Sequence, residues 1–280
     1  MAERFFSVDQ LAGKFNEEAL LAADICKRIL DSGFEEYAYA TLDAYFISDQ
    51  QEKVKKLGAL FTQFYQAKVV AVAEKENYWE LTVEFPPFPL NEDHLLCWAI
   101  DLLLKGYEHD CKLEGYGTYA GTGNYEFPDE DGSRLPWYFD EALKAYHNRN
   151  FSAAIIYFTS AIRIFPENPN AWYSRAIARD AVFLHAKALE DFNKAIELAP
   201  SFTEAYINRG VNRDLSGEYA AALEDFGKAV ALDGNNATAY LNIGNTHLHM
   251  GNLAGACAAW EKARELGAEY AAEQLALHCK

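Results

Sequence analysis

A repeat with a period of 34 residues constrains this chain more than any other feature of its sequence. Four aromatic residues, Phe158, Phe192, Phe226 and Trp260, follow one another at that interval. Alanine stands three residues after each aromatic and again four residues before it. Small residues at these positions let two antiparallel helices approach closely, and the aromatic side chain fills the space between them. One such pair cannot bury its apolar face alone, so the repeat predicts stacked helix pairs.

This spacing is similar to that of the tetratricopeptide repeat (TPR), an all-α family in which a proline closes each unit, as Pro166 and Pro200 do here. The resemblance implies an all-α solenoid within residues 135–280. Its four helix pairs are expected near residues 135–168, 169–202, 203–236 and 237–268, followed by a capping helix at 269–279. Repeats of this kind present a concave surface, formed by the first helix of each pair, to protein or peptide partners.

The inward-facing positions of these first helices form the candidate partner-binding groove. Helical periodicity assigns to it Tyr146, Tyr173, Ile177, Asp180, Asn208, Val211, Asp214, Asn242 and Asn245. Asparagine side chains pair with both the N–H and the C=O of an extended peptide, and the two aspartates offer carboxylates to lysine or arginine. The lysine and arginine set with which some TPR proteins clamp the carboxylate tail of a chaperone does not occur here. The alternative is a scaffold whose groove binds no defined segment.

Charged residues also recur in phase in the second and third units. They are Arg175, Arg179, Arg209 and Arg213 on the first helix, and Glu190, Asp191, Glu224 and Asp225 on the second. Anion binding is one interpretation of the arginines. The other is a ladder of ion pairs between the two helices of each unit, which we favour because such networks are often structural.

The charge of the chain is acidic and uneven. Its 280 residues suit about two domains, and its net charge is −17. Residues 1–134 hold 12 basic and 25 acidic side chains, whereas residues 135–280 hold 13 and 17. Because an acidic surface repels phosphate backbones, we expect no direct binding of nucleic acid and favour a basic protein partner.

The cysteines and the apolar segments indicate a cytoplasmic protein. Five cysteines, far apart and without a C-x2-C pair, argue against a disulfide framework and against a zinc site, and they predict reduced, mostly buried thiols. The N-terminus has no apolar stretch typical of a signal peptide, and no segment is long and apolar enough to span a membrane. We expect no metal and no cofactor.

The N-terminal part of the chain alternates between helical and strand patterns. Apolar spacing predicts helices at 9–32, 49–66 and 92–107 and strands at 37–47, 67–73, 78–85 and 111–116. After the first helix the order is β-α-β-β-α-β, which predicts an α+β, ferredoxin-like domain at residues 1–122. Residues 123–134, rich in glycine and acidic side chains, are the predicted linker.

Residues 15–122 resemble the family called regulator of ribonuclease activity B. The resemblance rests on the segment LDAYFISDQQEKVKKL, the strand YWELTVEF and the turn L-E-G-Y-G-T at Leu113–Thr118. Glu114 stands where the family usually has aspartate. The resemblance implies an acidic protein that binds another protein, as the known member binds an endoribonuclease and restrains RNA decay. It suggests an RNA-processing enzyme as partner. Together with the dense negative charge of residues 1–134, it leads us to expect that residues 1–122 bind a basic segment, with Asp93, Asp110 and Glu114 in the contact region.

The sequence carries no recognisable catalytic set. His247 and His249 are two residues apart and point in different directions on a helix, and no motif of a metalloprotease, hydrolase, P-loop or dinucleotide site occurs. We therefore expect a non-catalytic adaptor or regulator. The alternative is an enzyme that uses acids such as Glu80, Glu84 or Asp110 in the N-terminal domain.

Overall fold

A computed structural model describes residues 4–6, 8–33, 39–120 and 132–279. The chain divides into two compact units, Met1–Phe165 and Pro166–Lys280, called unit 1 and unit 2 below. No helix in the described part of the chain combines the length and the apolar character that a membrane span requires.

Unit 1 combines a sheet with helices. Its elements are α1 (Val8–Asp31), β1 (Tyr39–Ser48), α2 (Gln51–Phe64), β2 (Lys68–Glu74), β3 (Trp79–Glu84), β4 (Phe88–Pro89), α3 (Glu92–Glu108), β5 (Lys112–Ala120), α4 (Leu135–His147) and α5 (Phe151–Ile164). Each helix and strand predicted before residue 122 is present, and the two-residue β4 is an addition. Asn91 caps the N-terminus of α3, because its side chain accepts a hydrogen bond from the N–H of His94 at 2.7 Å.

The sheet of unit 1 is antiparallel throughout. Strand β2 pairs with β3, and β3 pairs with β1. Strands β3 and β5 flank β1 on its two edges, since both pair with residues 43–47 of β1. Alternation along β1 turns Leu42, Ala44 and Phe46 into a core that also contains Phe61 of α2 and Trp98 of α3.

The first helix pair of the repeat belongs to unit 1. Ile156 of α5 is part of the same hydrophobic cluster as the core of the sheet. The hydroxyl oxygen of Tyr65 lies 3.1 Å from Oδ2 of Asp101 and 3.2 Å from the backbone oxygen of Arg149, and its single O–H can donate to either acceptor. The predicted domain boundaries at 122 and 135 stay a prediction. Most of the predicted linker lies outside the described residues, and Gly132–Arg134 forms a 3-10 turn.

Unit 2 is all-helical. Its elements are α6 (Pro169–Ala181), α7 (His185–Leu198), α8 (Thr203–Leu215), α9 (Tyr219–Leu232), α10 (Ala237–His249), α11 (Leu253–Glu265) and α12 (Glu269–His278). The helix pairs and the capping helix predicted from the repeat are therefore present. A Cβ atom at Gly210 would lie 2.6 Å from the ring of Phe226, and a Cβ at Gly244 would collide with Trp260. The recurring small residue is thus required by the aromatic side chain of the following helix.

In each repeat, the turn between the two helices contains one residue with a left-handed backbone conformation. Arg149, Phe183, Gly217 and Gly251 hold this position, at φ values of 59°, 61°, 80° and 75°. Glycine adopts this conformation without steric cost, so the first two repeats place less suited residues there.

The structure corrects the prediction that all five thiols are reduced. Cys257 on α11 and Cys279, directly after α12, form a disulfide, with their Cα atoms 5.9 Å apart. The antiparallel pairing of α11 with α12 brings together two residues that are 22 positions apart. Cys26, Cys97 and Cys111 form no disulfide with a described residue and are buried, as predicted, and burial raises the pKa of the Cys111 thiol to about 12.

Candidate peptide-binding groove

The recurring arginines of unit 2 form ion pairs between helices. Both Arg175 and Arg179 bind Asp191, with nitrogen–oxygen distances of 2.7–2.8 Å. Arg209 and Arg213 bind Asp225 in the same way, at 2.6–2.9 Å. The ion-pair interpretation is therefore confirmed.

Glu190 and Glu224, the other acids of the pattern, are exposed. Because both carboxylates of the ladder are almost fully buried and each is held by two guanidinium groups, the arginines are occupied inside the protein. This ladder fixes each second helix against the first helix of its own pair.

A cavity of about 400 Å³ lies among α8 and α10, the first helices of two successive repeats, and the capping helix α12. Four predicted groove residues line it, namely Val211, Asp214, Asn242 and Asn245. The remaining lining residues are Leu215, Phe226, Thr246, Leu248, His249, Tyr270 and Gln274. The cavity therefore combines aliphatic walls with one carboxylate, amides and an aromatic ring, a composition suited to a side chain of a bound segment.

Asp214 is the charged centre of this cavity. Its side chain is 11% exposed, and its Oδ2 lies 2.8 Å from Nδ1 of His249. Its Oδ1 is buried and has no hydrogen-bond partner among the described residues. Thr246, 1% exposed, likewise has a hydroxyl without a partner. Two buried polar atoms of one cavity thus lack the hydrogen bonds that buried polar groups normally make.

Asp180 occupies the equivalent position one repeat earlier and is bonded differently. Its Oδ1 accepts a hydrogen bond from Nδ2 of Asn212 at 2.7 Å and lies 2.9 Å from Nδ1 of His185. Burial raises the pKa of Asp180, although these two hydrogen bonds act in the opposite direction. Asp180 is therefore engaged within unit 2.

Most of the other predicted groove residues have internal contacts. Asn208 donates a hydrogen bond to the hydroxyl of Tyr173 at 2.8 Å, and Asn245 accepts one from Nε1 of Trp260 at 3.0 Å. Ile177 packs in the cluster that contains Tyr173. Tyr146 lies in unit 1, where its ring contacts Phe151. Asn242 makes no hydrogen bond with any described residue, so its amide is available to a ligand.

Sequence reasoning missed the part that Thr246, His249, Tyr270 and Gln274 play in the cavity. Thr246 stands 34 residues after Asn212, so a comparison of the repeats would have shown the loss of an amide donor. Tyr270 and Gln274 lie on the capping helix, which the sequence presents as a cover for the last apolar face.

The three acids predicted to bind a basic partner do not converge. Asp93 lies in the first turn of the 17-residue helix α3, whereas Asp110 follows its last turn. A helix of that length separates them by roughly 25 Å. Lys53 donates a hydrogen bond to Asp110 at 2.7 Å and the N–H of Phe6 donates one at 2.8 Å.

Asp110 and Glu114 both have internal partners. Burial would raise the pKa of Asp110, but the hydrogen bonds from Lys53 and from the Phe6 and Phe5 N–H groups outweigh it and lower the pKa. Glu114 forms an ion pair with Lys112.

The sheet contains an acidic pair that the sequence did not indicate. Asp43 of β1 stands directly opposite Glu84 of β3. Burial and the charge of Glu84 raise the pKa of Asp43. Glu80, on the same strand as Glu84, forms an ion pair with Lys75 at 3.6 Å. Glu80, Glu84 and Asp110 line neither the cavity of unit 2 nor the cavity of about 230 Å³ that unit 1 contains next to Tyr65 and Trp98.

Comparison with known proteins identifies the repeats. One tetratricopeptide repeat model matches residues 139–202 and a second TPR repeat model matches residues 215–251. These parts of the chain are therefore TPR repeats. No curated protein matches the chain.

Several solved structures are similar to this chain, including two described as TPR proteins. The crystal structure of MamA protein is 24% identical and covers 52% of this chain and 85% of its own, with a TM-score of 0.46. YrrB, described as a TPR protein with an unusual peptide-binding site, is 22% identical over 65% of this chain and 80% of its own, also with a TM-score of 0.46. The first TPR of Spaghetti (RPAP3), bound to HSP90 peptide SRMEEVD, is 25% identical and covers 43% of this chain and 96% of its own, with a TM-score of 0.42.

Proposed function

We propose that this chain is a non-catalytic adaptor whose unit 2 binds an extended segment of another protein along α8, α10 and α12. TPR repeats generally mediate protein–protein interactions. The observation that carries the proposal is the cavity of about 400 Å³ on these helices, which four of the predicted groove residues line.

The chemistry of the cavity suits a peptide more than a rigid small molecule. An extended segment presents backbone N–H and C=O groups, and the free amide of Asn242 can donate to one and accept from the other. Leu215, with 67% of its surface exposed, and Tyr270, with 52%, offer apolar surface beside it. Their exposure leaves room for side chains of a partner.

A display library of random nonapeptides, selected on the full chain, tests this proposal. The selected peptides should bind the parent protein and fail to bind Asn242→Trp, which fills the cavity. Glu224→Trp is the matched control, because Glu224 is exposed on α9, outside the groove. Peptides that bind all three proteins equally, or no selected peptides, would refute binding in the groove. Circular dichroism checks that each variant keeps its helices.

We further propose that the sheet part of unit 1 is a ferredoxin-like domain. Support comes from the predicted β-α-β-β-α-β order and from β3 and β5 flanking β1 in an antiparallel sheet. A role for this part in restraining a ribonuclease, its binding of a basic segment and a cytoplasmic location follow from the sequence and stay predictions. Association rates of the full chain with a recovered partner across a salt series test the electrostatic part, since attraction between exposed charges is screened by salt.

A further inference from the structure

We propose that the cavity of unit 2 is a subsite for the side chain of a lysine in the bound segment, with Asp214 as its counter-ion. This inference rests on the proposed peptide-binding function and specifies its ligand. It starts from the buried Oδ1 of Asp214, which has no partner among the described residues.

A buried carboxylate oxygen without a partner is energetically costly, because that oxygen has lost its hydrogen bonds to water and gained none in return. A cation from a ligand supplies the missing partner. His249 is the only basic side chain among the residues that line the cavity, and it already engages Oδ2. The net charge of −17 favours the approach of a cationic segment.

Comparison of successive repeats explains why this carboxylate is free. In the preceding repeat, Asn212 reaches back and donates its amide to Asp180 at 2.7 Å. The residue 34 positions after Asn212 is Thr246, whose shorter side chain makes no such bond. The repeat that forms the cavity therefore lacks the internal donor that its predecessor has.

The geometry favours lysine over arginine. One oxygen of Asp214 is held by His249, so a single oxygen remains for the ligand. An ammonium group suits one oxygen, whereas a guanidinium group makes its strongest contact with two. The χ2 torsion of aspartate is broad, so rotation about it can turn this oxygen toward the cavity that Asp214 lines. Val211 and Leu248 provide aliphatic walls for the lysine stem.

The test uses the nonapeptides selected on the full chain. They should be enriched in lysine at one position, and replacement of that lysine by norleucine should weaken binding about tenfold or more, as for the loss of a charge-assisted hydrogen bond. Isothermal titration calorimetry should give a similar loss for Asp214→Asn, and for this variant the lysine and norleucine peptides should bind equally. Thr246→Asn, which restores the internal donor, should also weaken the lysine peptide.

Glu224→Gln is the matched control, because it also removes a carboxylate charge and Glu224 is exposed on α9, outside the groove. It should change affinity less than about twofold. The proposed lysine subsite would be wrong if peptides that require the groove lacked lysine, or if Asp214→Asn weakened the lysine and norleucine peptides equally. Binding in the groove would stand in either case. Absence of any groove-dependent peptide would refute the proposed function and this inference with it. If Asp214→Asn fails to fold, Thr246→Asn gives the same comparison.

Discussion

Replacement of Asp101 by asparagine should remove a pH dependence from the stability of unit 1. Asp101 lies on α3 and has no exposed surface. Its Oδ2 accepts hydrogen bonds from the hydroxyl of Tyr65 at 3.1 Å and from the hydroxyl and N–H of Ser152 at 3.0 and 3.3 Å. Its Oδ1 is buried and has no partner among the described residues.

Burial raises the pKa of Asp101 from 3.8 to about 6, although the charge of Lys105 and the hydrogen bonds of Ser152 and Tyr65 oppose this shift. The folded protein therefore holds this proton more tightly than the unfolded chain. The stability from the neutral carboxyl group is complete below the unfolded pKa and is lost as the pH rises through the folded pKa. The whole loss is about 3 kcal/mol, of which about 2 kcal/mol falls between about pH 4.5 and about pH 7.5.

Asparagine keeps a carbonyl acceptor for Tyr65 and Ser152 but does not ionise. From about pH 4.5 to about pH 7.5, the free energy of unfolding of Asp101→Asn should therefore rise by about 2 kcal/mol relative to that of the parent protein. Urea unfolding, followed by tryptophan fluorescence and circular dichroism, measures this difference.

Asp24→Asn is the control for this comparison, because the Asp24 side chain on α1 is 62% exposed. Its stability at the two pH values gives the baseline for removal of an exposed carboxyl group. If the stability of Asp101→Asn and that of the parent changed in parallel with pH, water would reach Asp101 and the argument from burial would be wrong.

Two further predictions concern unit 2. Phe183→Gly should raise the free energy of unfolding by about 0.5–1 kcal/mol, because residue 183 has a left-handed backbone conformation with φ 61°. Gly217→Ala, the reverse change one repeat later, should lower it by about 1 kcal/mol. Urea unfolding measures both effects, and equal effects of the same sign would contradict the conformational argument. Cys257→Ser should cost about 3 kcal/mol, since the disulfide closes a loop between residues 22 positions apart. Amide exchange in α12 should quicken in this variant and in reduced parent protein, whereas unchanged exchange on reduction would show that packing alone holds α12.

The repeat could be predicted from the sequence because its period is set by local packing. Gly210 faces Phe226 and Gly244 faces Trp260, so the spacing of small and aromatic residues records contacts within a single helix pair. The arginine ladder was predictable for the same reason. Arg209 and Asp225 are only 16 positions apart and recur with the repeat.

Features that depend on tertiary neighbours could not be predicted. The partners of Asp110 are Lys53, 57 positions away, and Phe6, 104 positions away, so a carboxylate assigned to a partner surface is engaged inside unit 1. In the sequence, Asp101 is the one charged residue within the apolar run 95–104. Its environment arises only when α5 brings Ser152 to α3. Cysteine spacing likewise gave no sign that α11 and α12 pair Cys257 with Cys279.

The fourth repeat of the array departs from the pattern that satisfies the second and third. Ile243, His247 and Ala259 stand where the third repeat has Arg209, Arg213 and Asp225, so the ion-pair ladder does not continue. Thr246, also on the first helix of the fourth repeat, stands where the third repeat has the amide donor Asn212. The departures fall where α10 contributes to the cavity.

If the unpaired Asp214 is retained for binding, restoring the repeat pattern should improve stability while harming binding. Thr246→Asn should raise the free energy of unfolding by about 1 kcal/mol, because a buried oxygen gains a donor and a buried hydroxyl without a partner is removed. The same variant should bind the lysine peptide more weakly. Urea unfolding and calorimetry on one preparation measure the two effects. A variant that loses both stability and affinity would show that Asn does not fit at residue 246, whereas gains in both would show that the free oxygen of Asp214 serves no ligand.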